Sequence, residues 1–255
     1  MTTETGIPGA LALVGSGEYT DAMRDTDRHL LATLGGPKAA RVALLPTASG
    51  LEADGPRHWN DLGQRHFAQL GVHDIRSSWI LDAKSAADPE QVRLLGDINF
   101  AYFSGGSPNH LVASMRGSPA WDAVTQAYLR GGVLAGCSAG AMALGGATLS
   151  VRTLLSGGRA DWVEALGIVP HLVVFPHFDR FLGMMSKSAL RTHLLALPPG
   201  MIAIGIDEDT ALVRLTPPDA ATGRAHWRVM GRQGVALFRR DADMEQLATG
   251  DEVEL

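Results

Sequence analysis

The chain has 255 residues, 45% of them hydrophobic and 19% charged, with a net charge of −5. This composition supports one large packed core or two small ones, and it excludes a chain too polar to fold. The acidic balance and the lack of any basic stretch speak against a nucleic-acid partner.

Cys137 is the only cysteine. No disulfide can form within the chain, in keeping with a reducing compartment. The first residues carry no basic leader, and the apolar run Ala10–Val14 is far too short for a secretion signal. No segment approaches the roughly 20 apolar residues that cross a bilayer. The expectation is a cytoplasmic protein without a membrane partner.

In chain order, Ala10–Val14 reads as a buried strand ending in Gly15-Ser16-Gly17, and Asp21–Leu34 as a helix. Arg41–Leu45 is a second strand, followed by helical spacing over Trp59–Leu70. Val72–Leu81 is a third strand candidate, with a short helix at Pro89–Leu95. Ile98–Phe103 is a fourth strand that runs into Ser104-Gly105-Gly106. Helices are expected at Pro108–Met115 and Trp121–Arg130, then a fifth strand at Gly132–Ala135. The later strands are Leu172–Phe175, Met201–Ile206, Ala211–Leu215, Trp227–Met230 and Val235–Phe238. The last three read as a small antiparallel addition.

Strands that are apolar without alternation are buried on both faces. The expected fold is therefore α/β in three layers, a mostly parallel sheet with helices on both faces. No linker or repeat divides the chain, so residues 1–255 are expected to form a single domain. Ligands of such sheets sit beyond the carboxyl ends of the strands, where the glycine-rich segments fall.

Gly136-Cys137-Ser138-Ala139-Gly140 matches G-x-S-x-G directly after a predicted strand. A nucleophile on a strand-to-helix elbow sits on strained backbone. Side chains two positions before and after it would collide, so glycine suits both. The elbow lifts the Ser138 hydroxyl and aims the Ala139 amide at a developing oxyanion. Cys137 is the rival, because class I amidotransferases carry a cysteine on a similar elbow. The glycines centre the turn on Ser138 and leave Cys137 as a small buried residue.

A serine nucleophile needs a base and a group to orient it. His29, His58, His66 and His73 lie in or beside amphipathic helices and are expected to be solvated. His58 and His66 have no ligand pattern for a metal, and no metal or organic cofactor is expected. His177, in Phe175-Pro176-His177-Phe178-Asp179-Arg180, follows an apolar strand and should lie level with the elbow in the parallel sheet. His110, after the Gly105-Gly106 turn, is placed to reach the same cleft. Three carboxylates are candidates for the orienting acid: Asp161, Asp179 and Glu208 of Gly205-Ile206-Asp207-Glu208-Asp209-Thr210. The spacing does not rank them. Gly15-Ser16-Gly17-Glu18 reads as a tight loop bordering the cleft.

The segments GCSAGAMALG, FSGGSPNHL, VVFPHFDRF and GIDEDTAL together resemble the serine peptidases typified by dipeptidase E and cyanophycinase. The resemblance implies a class I glutamine amidotransferase-like (flavodoxin-like) fold. It implies Ser138 as nucleophile, His177 as base and Glu208 as orienting acid, with the Gly106 and Ala139 amides as oxyanion hole. It also implies a small acidic or β-aspartyl peptide as substrate, and a homodimer. Cyanophycinases carry Asp-Gln before the histidine, where this chain has Phe175-Pro176. They also carry a run of arginines after it, where this chain has only Arg180, Lys187 and Arg191 as cations. Arg180, Arg191 and His110 are the candidates for holding the substrate. The alternative functions are a non-catalytic binding protein, a small-substrate esterase, or an amidotransferase subunit dependent on Cys137.

Overall fold

The computed structural model describes residues 6–149, 162–184, 194, 196–240 and 243–255, with the side chains of 182–184 excepted. Asp161, Lys187 and Arg191 lie outside the described residues.

The strands are β1 (Leu11–Val14), β2 (Arg41–Leu45), β3 (Asp74–Ser77), β4 (Phe100–Phe103), β5 (Val133–Cys137), β6 (Ala147–Thr148), β7 (Val163–Glu164), β8 (Leu172–Phe175), β9 (Ile202–Ile206), β10 (Thr210–Arg214), β11 (His226–Gly231), β12 (Gly234–Phe238), β13 (Glu245–Ala248) and β14 (Glu252–Glu254). The helices are α1 (Arg24–Thr33), α2 (Gly55–Gln69), α3 (Pro89–Leu94), α4 (Pro108–Met115), α5 (Pro119–Leu129), α6 (Ala139–Leu144) and α7 (Phe178–Met184). Helices α3, α4 and α5 each begin with proline behind a polar residue. Asp88, Ser107 and Ser118 accept the backbone N–H of Glu90, His110 and Trp121. The proline has no N–H to leave unpaired, and the cap satisfies one that would be.

Eight strands form the main sheet in the order β14-β11-β10-β1-β5-β4-β2-β3. The run from β1 to β3 is parallel, and β10, β11 and β14 extend it antiparallel beyond β1. Alternate residues of the parallel strands enter two separate cores. Leu11, Leu13, Phe103 and Leu134 pack with α4, α5 and α6, while Ala12, Val14, Tyr102 and Ala135 pack with α1 and α2. Burial on both faces is why these strands read as continuous apolar runs. Among the described residues no helix is long and apolar enough to cross a membrane.

The expected parallel sheet differs in one respect. β8 and β9 do not join it; they form a second, four-stranded sheet, β13-β12-β9-β8. β8 and β9 are parallel, while β12 and β13 are antiparallel to them. One face of this sheet, with Val174, Ile204, Ile206, Val235 and Leu237, packs into the core beneath α4–α6. Its other face, with Val173, Phe175, Ala203 and Phe238, is covered by Phe178 and Phe181 of α7. The expected C-terminal addition is thus split. Its first two strands complete the main sheet and its third builds the second one.

His66 also departs from expectation. It is buried rather than solvated, and its Nε2 lies 2.7 Å from an oxygen of buried Asp27. Burial pushes the Asp27 carboxyl up from its usual range, and the bond from His66 opposes that rise. Removing the imidazole would leave a carboxyl buried without a partner. His66→Ala should therefore cost about 3–5 kcal/mol in chemical denaturation, far more than the ±0.5 kcal/mol or so of a surface change.

Candidate active site

Ser138 follows β5 directly, and its backbone adopts φ 51°, ψ −112°. This is strained for a residue with a Cβ, at about 1–3 kcal/mol. The flanking glycines allow it. A Cβ on Gly136 would meet the Gly140 carbonyl carbon at 2.6 Å, and one on Gly140 would meet the Phe103 oxygen at 2.5 Å. The small side chains of Ala139, Gly140, Ala141 and Ala143 let α6 lie buried against β5 and β1. The Ser138 N–H donates to the Val14 carbonyl at 2.9 Å, tying the elbow to β1.

His177 sits at the carboxyl end of β8, also in the left-handed region at φ 51°. Phe175 and Phe178 on either side are buried and fix its loop. Gly205 in β9 makes room, since a Cβ there would lie 2.3 Å from the Phe178 ring. The imidazole Nε2 is 3.1 Å from Ser138 Oγ, and Nδ1 is 2.9 Å from Glu208 Oε1. Hydroxyl, imidazole and carboxylate are thus in hydrogen-bonded sequence.

The acidic loop after β9 separates the carboxylates by partner. Glu208 takes His177 on one oxygen and Arg180 Nε, at 2.8 Å, on the other. Asp179 does not meet the histidine; it accepts the backbone N–H of Glu208 at 3.0 Å. Asp207 accepts the Gly234 N–H at 3.1 Å. Its carboxyl is raised above the usual range by burial and then by the charge of Asp179. Gln233 donates to the Glu208 carbonyl at 2.9 Å. Arg180 has a side chain 69% exposed, so its pairing with Glu208 is partly screened. Asp161 lies outside the described residues, so the geometry compares Glu208 with Asp179 alone.

The Gly105-Gly106 turn faces the elbow. Gly106 has φ 140°, and a Cβ would meet the Ala48 carbonyl carbon at 2.4 Å. Among the described residues its N–H has no acceptor. The Ala139 N–H, at the first position of α6, is one of the amides a helix leaves free. His110 donates from Nε2 to the Leu81 carbonyl at 2.7 Å, which ties α4 to the segment after β3. Arg191 lies outside the described residues. No group of three or more His, Cys, Asp or Glu is arranged for a metal among the described residues.

Two features were not foreseen. Glu18, in the loop after β1, is buried against the elbow: its oxygens accept the Gly105 N–H at 2.9 Å and the Cys137 thiol at 2.8 Å. A carboxylate beside two glycines carries no local signal of partners so distant in sequence. The other is the clustering of strain. The non-glycine residues of positive φ among those described are Tyr19, Ser138, His177 and Asp209, and all stand on the loops of this site.

The Cys137 thiol is fully buried, and burial followed by the Glu18 charge pushes it well above its ordinary range. A thiol held neutral in this way is a poor nucleophile. The exposed end of the elbow belongs to Ser138.

A strained elbow serine backed by imidazole and carboxylate, on a mostly parallel sheet, is equipped for acyl transfer. Comparison with known proteins identifies the type more closely. Residues 11–215 match the Peptidase family S51 model. A solved peptidase from an acI-B1 Actinobacterium superposes with a TM-score of 0.83 at 32% identity, covering 100% of both chains. Cyanophycinase of Trichormus variabilis is 26% identical over 230 residues, 84% of this chain and 70% of that protein. Cyanophycinase of Synechococcus elongatus is 26% identical over 245 residues, 91% of this chain and 69% of that protein. A solved protein from Listeria monocytogenes, at 15% identity and a TM-score of 0.54, shares the fold over 95% of this chain and 100% of its own. The chain belongs to peptidase family S51, and it is a hydrolase of the serine peptidase class.

Iodoacetamide at mildly alkaline pH should leave Cys137 unmodified in the folded protein and alkylate it after denaturation. Mass spectrometry of the intact chain reads both states. Rapid stoichiometric modification of the native protein would show an accessible thiolate and restore Cys137 as a rival.

Proposed function

We propose that the protein hydrolyses small acidic or β-aspartyl peptides through a Ser138–His177–Glu208 triad. The single observation that carries this reading is the hydrogen-bonded line from Ser138 Oγ through His177 to Glu208. In the proposed reaction, Ser138 Oγ attacks the carbonyl carbon of the scissile amide as its proton passes to His177 Nε2. Glu208 holds the imidazole by its Nδ1–H and stabilises the cation that forms. The carbonyl oxygen takes up negative charge, and the amides of Gly106 and Ala139 receive it. His177 returns the proton to the departing amine nitrogen as the C–N bond breaks. Water, deprotonated by the same imidazole, then releases the acid product and frees Ser138.

The substrate class rests on the cyanophycinase relatives and on charge at the site. Arg180 presents a guanidinium at the mouth of the triad, a group suited to a substrate carboxylate. Holding it against Glu208 limits its rotamer freedom, so less entropy is lost when a second anion binds. Arg191 is a further proposed contact. His110 would act through the Leu81 bond by setting the cleft wall rather than by meeting the substrate.

With an aspartyl p-nitroanilide or a β-aspartyl-arginine dipeptide as substrate, Ser138→Ala should lower turnover by several orders of magnitude. Turnover at the wild-type level in that variant would remove the triad. Paired variants separate the acids. Glu208→Gln should lower kcat by about 10²- to 10⁴-fold, because the amide no longer supplies the charge that stabilises the imidazolium. Asp179→Asn, which keeps an oxygen for the Glu208 N–H, should cost less than tenfold or so. The reverse order would reassign the orienting acid to Asp179.

A further inference from the structure

Oxyanion amides on separate chain segments pose a geometric problem. Gly106 stands on the loop after β4 and Ala139 on the elbow after β5. To act on one oxygen, both N–H groups must lie about 3 Å from it, so the gap between the segments has to be fixed. Glu18 is the one side chain among the described residues that bonds to both. Oε1 accepts the N–H of Gly105, the neighbour of Gly106, and Oε2 accepts the thiol of Cys137, which immediately precedes Ser138.

Glu18 is itself rigidly held. The residue is 6% exposed and stands on the loop that follows β1, the strand to which the Ser138 N–H is bonded. Tyr19, next in the chain, is in the left-handed region at φ 64°. Its buried ring packs on Tyr102 with centroids 4.9 Å apart and on Phe67 at 6.1 Å, so aromatic packing sustains the strain. The contact is also close. A Cβ on Gly105 would meet Glu18 Oε1 at a tight 3.2 Å and Ser138 Cβ at an ordinary 3.6 Å, so the turn lies against both the carboxylate and the elbow.

From this geometry we infer that Glu18 is a positioning residue, a clamp that sets the spacing of the two oxyanion amides without touching the substrate. The inference rests on the triad proposed above. Its chemistry needs two accepting or polar atoms at a fixed separation rather than a charge. Glutamine supplies an oxygen for the Gly105 N–H and an amide for the Cys137 sulfur, whereas alanine supplies neither.

The test uses the full chain and a fluorophosphonate probe. In labelling, Ser138 Oγ forms a P–O bond as the P–F bond breaks, its proton passes to His177, and fluoride leaves. Negative charge gathers on the phosphonyl oxygen, so the rate reads the oxyanion site without knowledge of the substrate. Labelling of the wild type at Ser138, lost in Ser138→Ala, is the control. A wild type that is not labelled there overturns the triad reading and the clamp with it. With labelling present, Glu18→Ala should lower the maximal labelling rate about 100-fold, the order of loss of one oxyanion donor. The probe concentration giving half that rate should stay within about threefold, and Glu18→Gln should keep the rate within about fivefold. A wild-type rate in Glu18→Ala, or equal losses in Glu18→Ala and Glu18→Gln, would overturn the clamp and leave the triad standing. If Glu18→Ala does not fold, Glu18→Asp decides. One methylene shorter, it cannot span both partners and should label at least about tenfold more slowly; a wild-type rate in that variant removes the clamp.

Discussion

The left-handed backbone at Ser138 is the constraint on which the site depends. A residue with a Cβ occupies φ 51° only if its surroundings make every alternative worse. Here the surroundings are the parallel sheet itself. β5 delivers the chain between β1 and β4, and the small-residue helix α6 turns back against β5 without room for larger side chains at Gly136 or Gly140. The strain of about 1–3 kcal/mol is small beside the burial of the surrounding core, in which each large apolar side chain contributes about 1.5–3 kcal/mol. The same balance holds at His177, where buried Phe175 and Phe178 hold a left-handed turn.

The acidic loop shows how carboxylates of one sign are kept apart. Asp207, Glu208 and Asp209 are consecutive, yet each faces a different partner: the Gly234 amide, the His177 ring, and the Arg232 guanidinium at 3.7 Å. Asp179 adds a fourth carboxylate and spends one oxygen on the Glu208 backbone. One carboxylate is thus left for the imidazole while the others brace the loop that carries it. Its second oxygen, bonded to Arg180, is held in the orientation that keeps the first on Nδ1.

Much of this was legible in the sequence because it depends on local pattern. Apolar runs marked the parallel strands and the elbow pattern singled out Ser138, whereas Glu208 was set apart from Asp161 and Asp179 only by the family resemblance of the GIDEDTAL segment. What escaped depends on distant partners or on exposure. β8 reads like a main-sheet strand because burial on both faces leaves the same apolar run whichever sheet supplies the neighbours. β13 and β14 are short and largely exposed, so they carry no alternation to read. His66 sits on an amphipathic helix like a solvated residue, and its partner Asp27 is 39 positions away. Glu18 meets Gly105 and Cys137 across 87 and 119 positions, and nothing in a glycine-rich loop announces either contact. The strand carrying Cys137 continues to the edge of the elbow, two residues beyond the apolar run that announced it.

The second sheet gives the site a division of labour. The serine stands on the main sheet, while His177 and Glu208 stand at the ends of neighbouring parallel strands of the smaller one. Because β8 and β9 are in register, with Phe175 opposite Gly205, the loops that carry His177 and Glu208 are fixed to one another by backbone pairing. Their distance to the serine depends instead on packing between the sheets, through Val174, Ile204 and Ile206 against the core under α6. Close-packed interiors yield little to compression, so a 3.1 Å contact between Oγ and Nε2 can be held across that interface. The loop after β1 binds the arrangement further. Its Gly15 N–H donates to the Thr210 carbonyl beside the acidic loop, and its Glu18 reaches the elbow. Ser138 therefore stands on one sheet and His177 and Glu208 on another, and one short loop touches both the elbow and the acidic loop that carries Glu208.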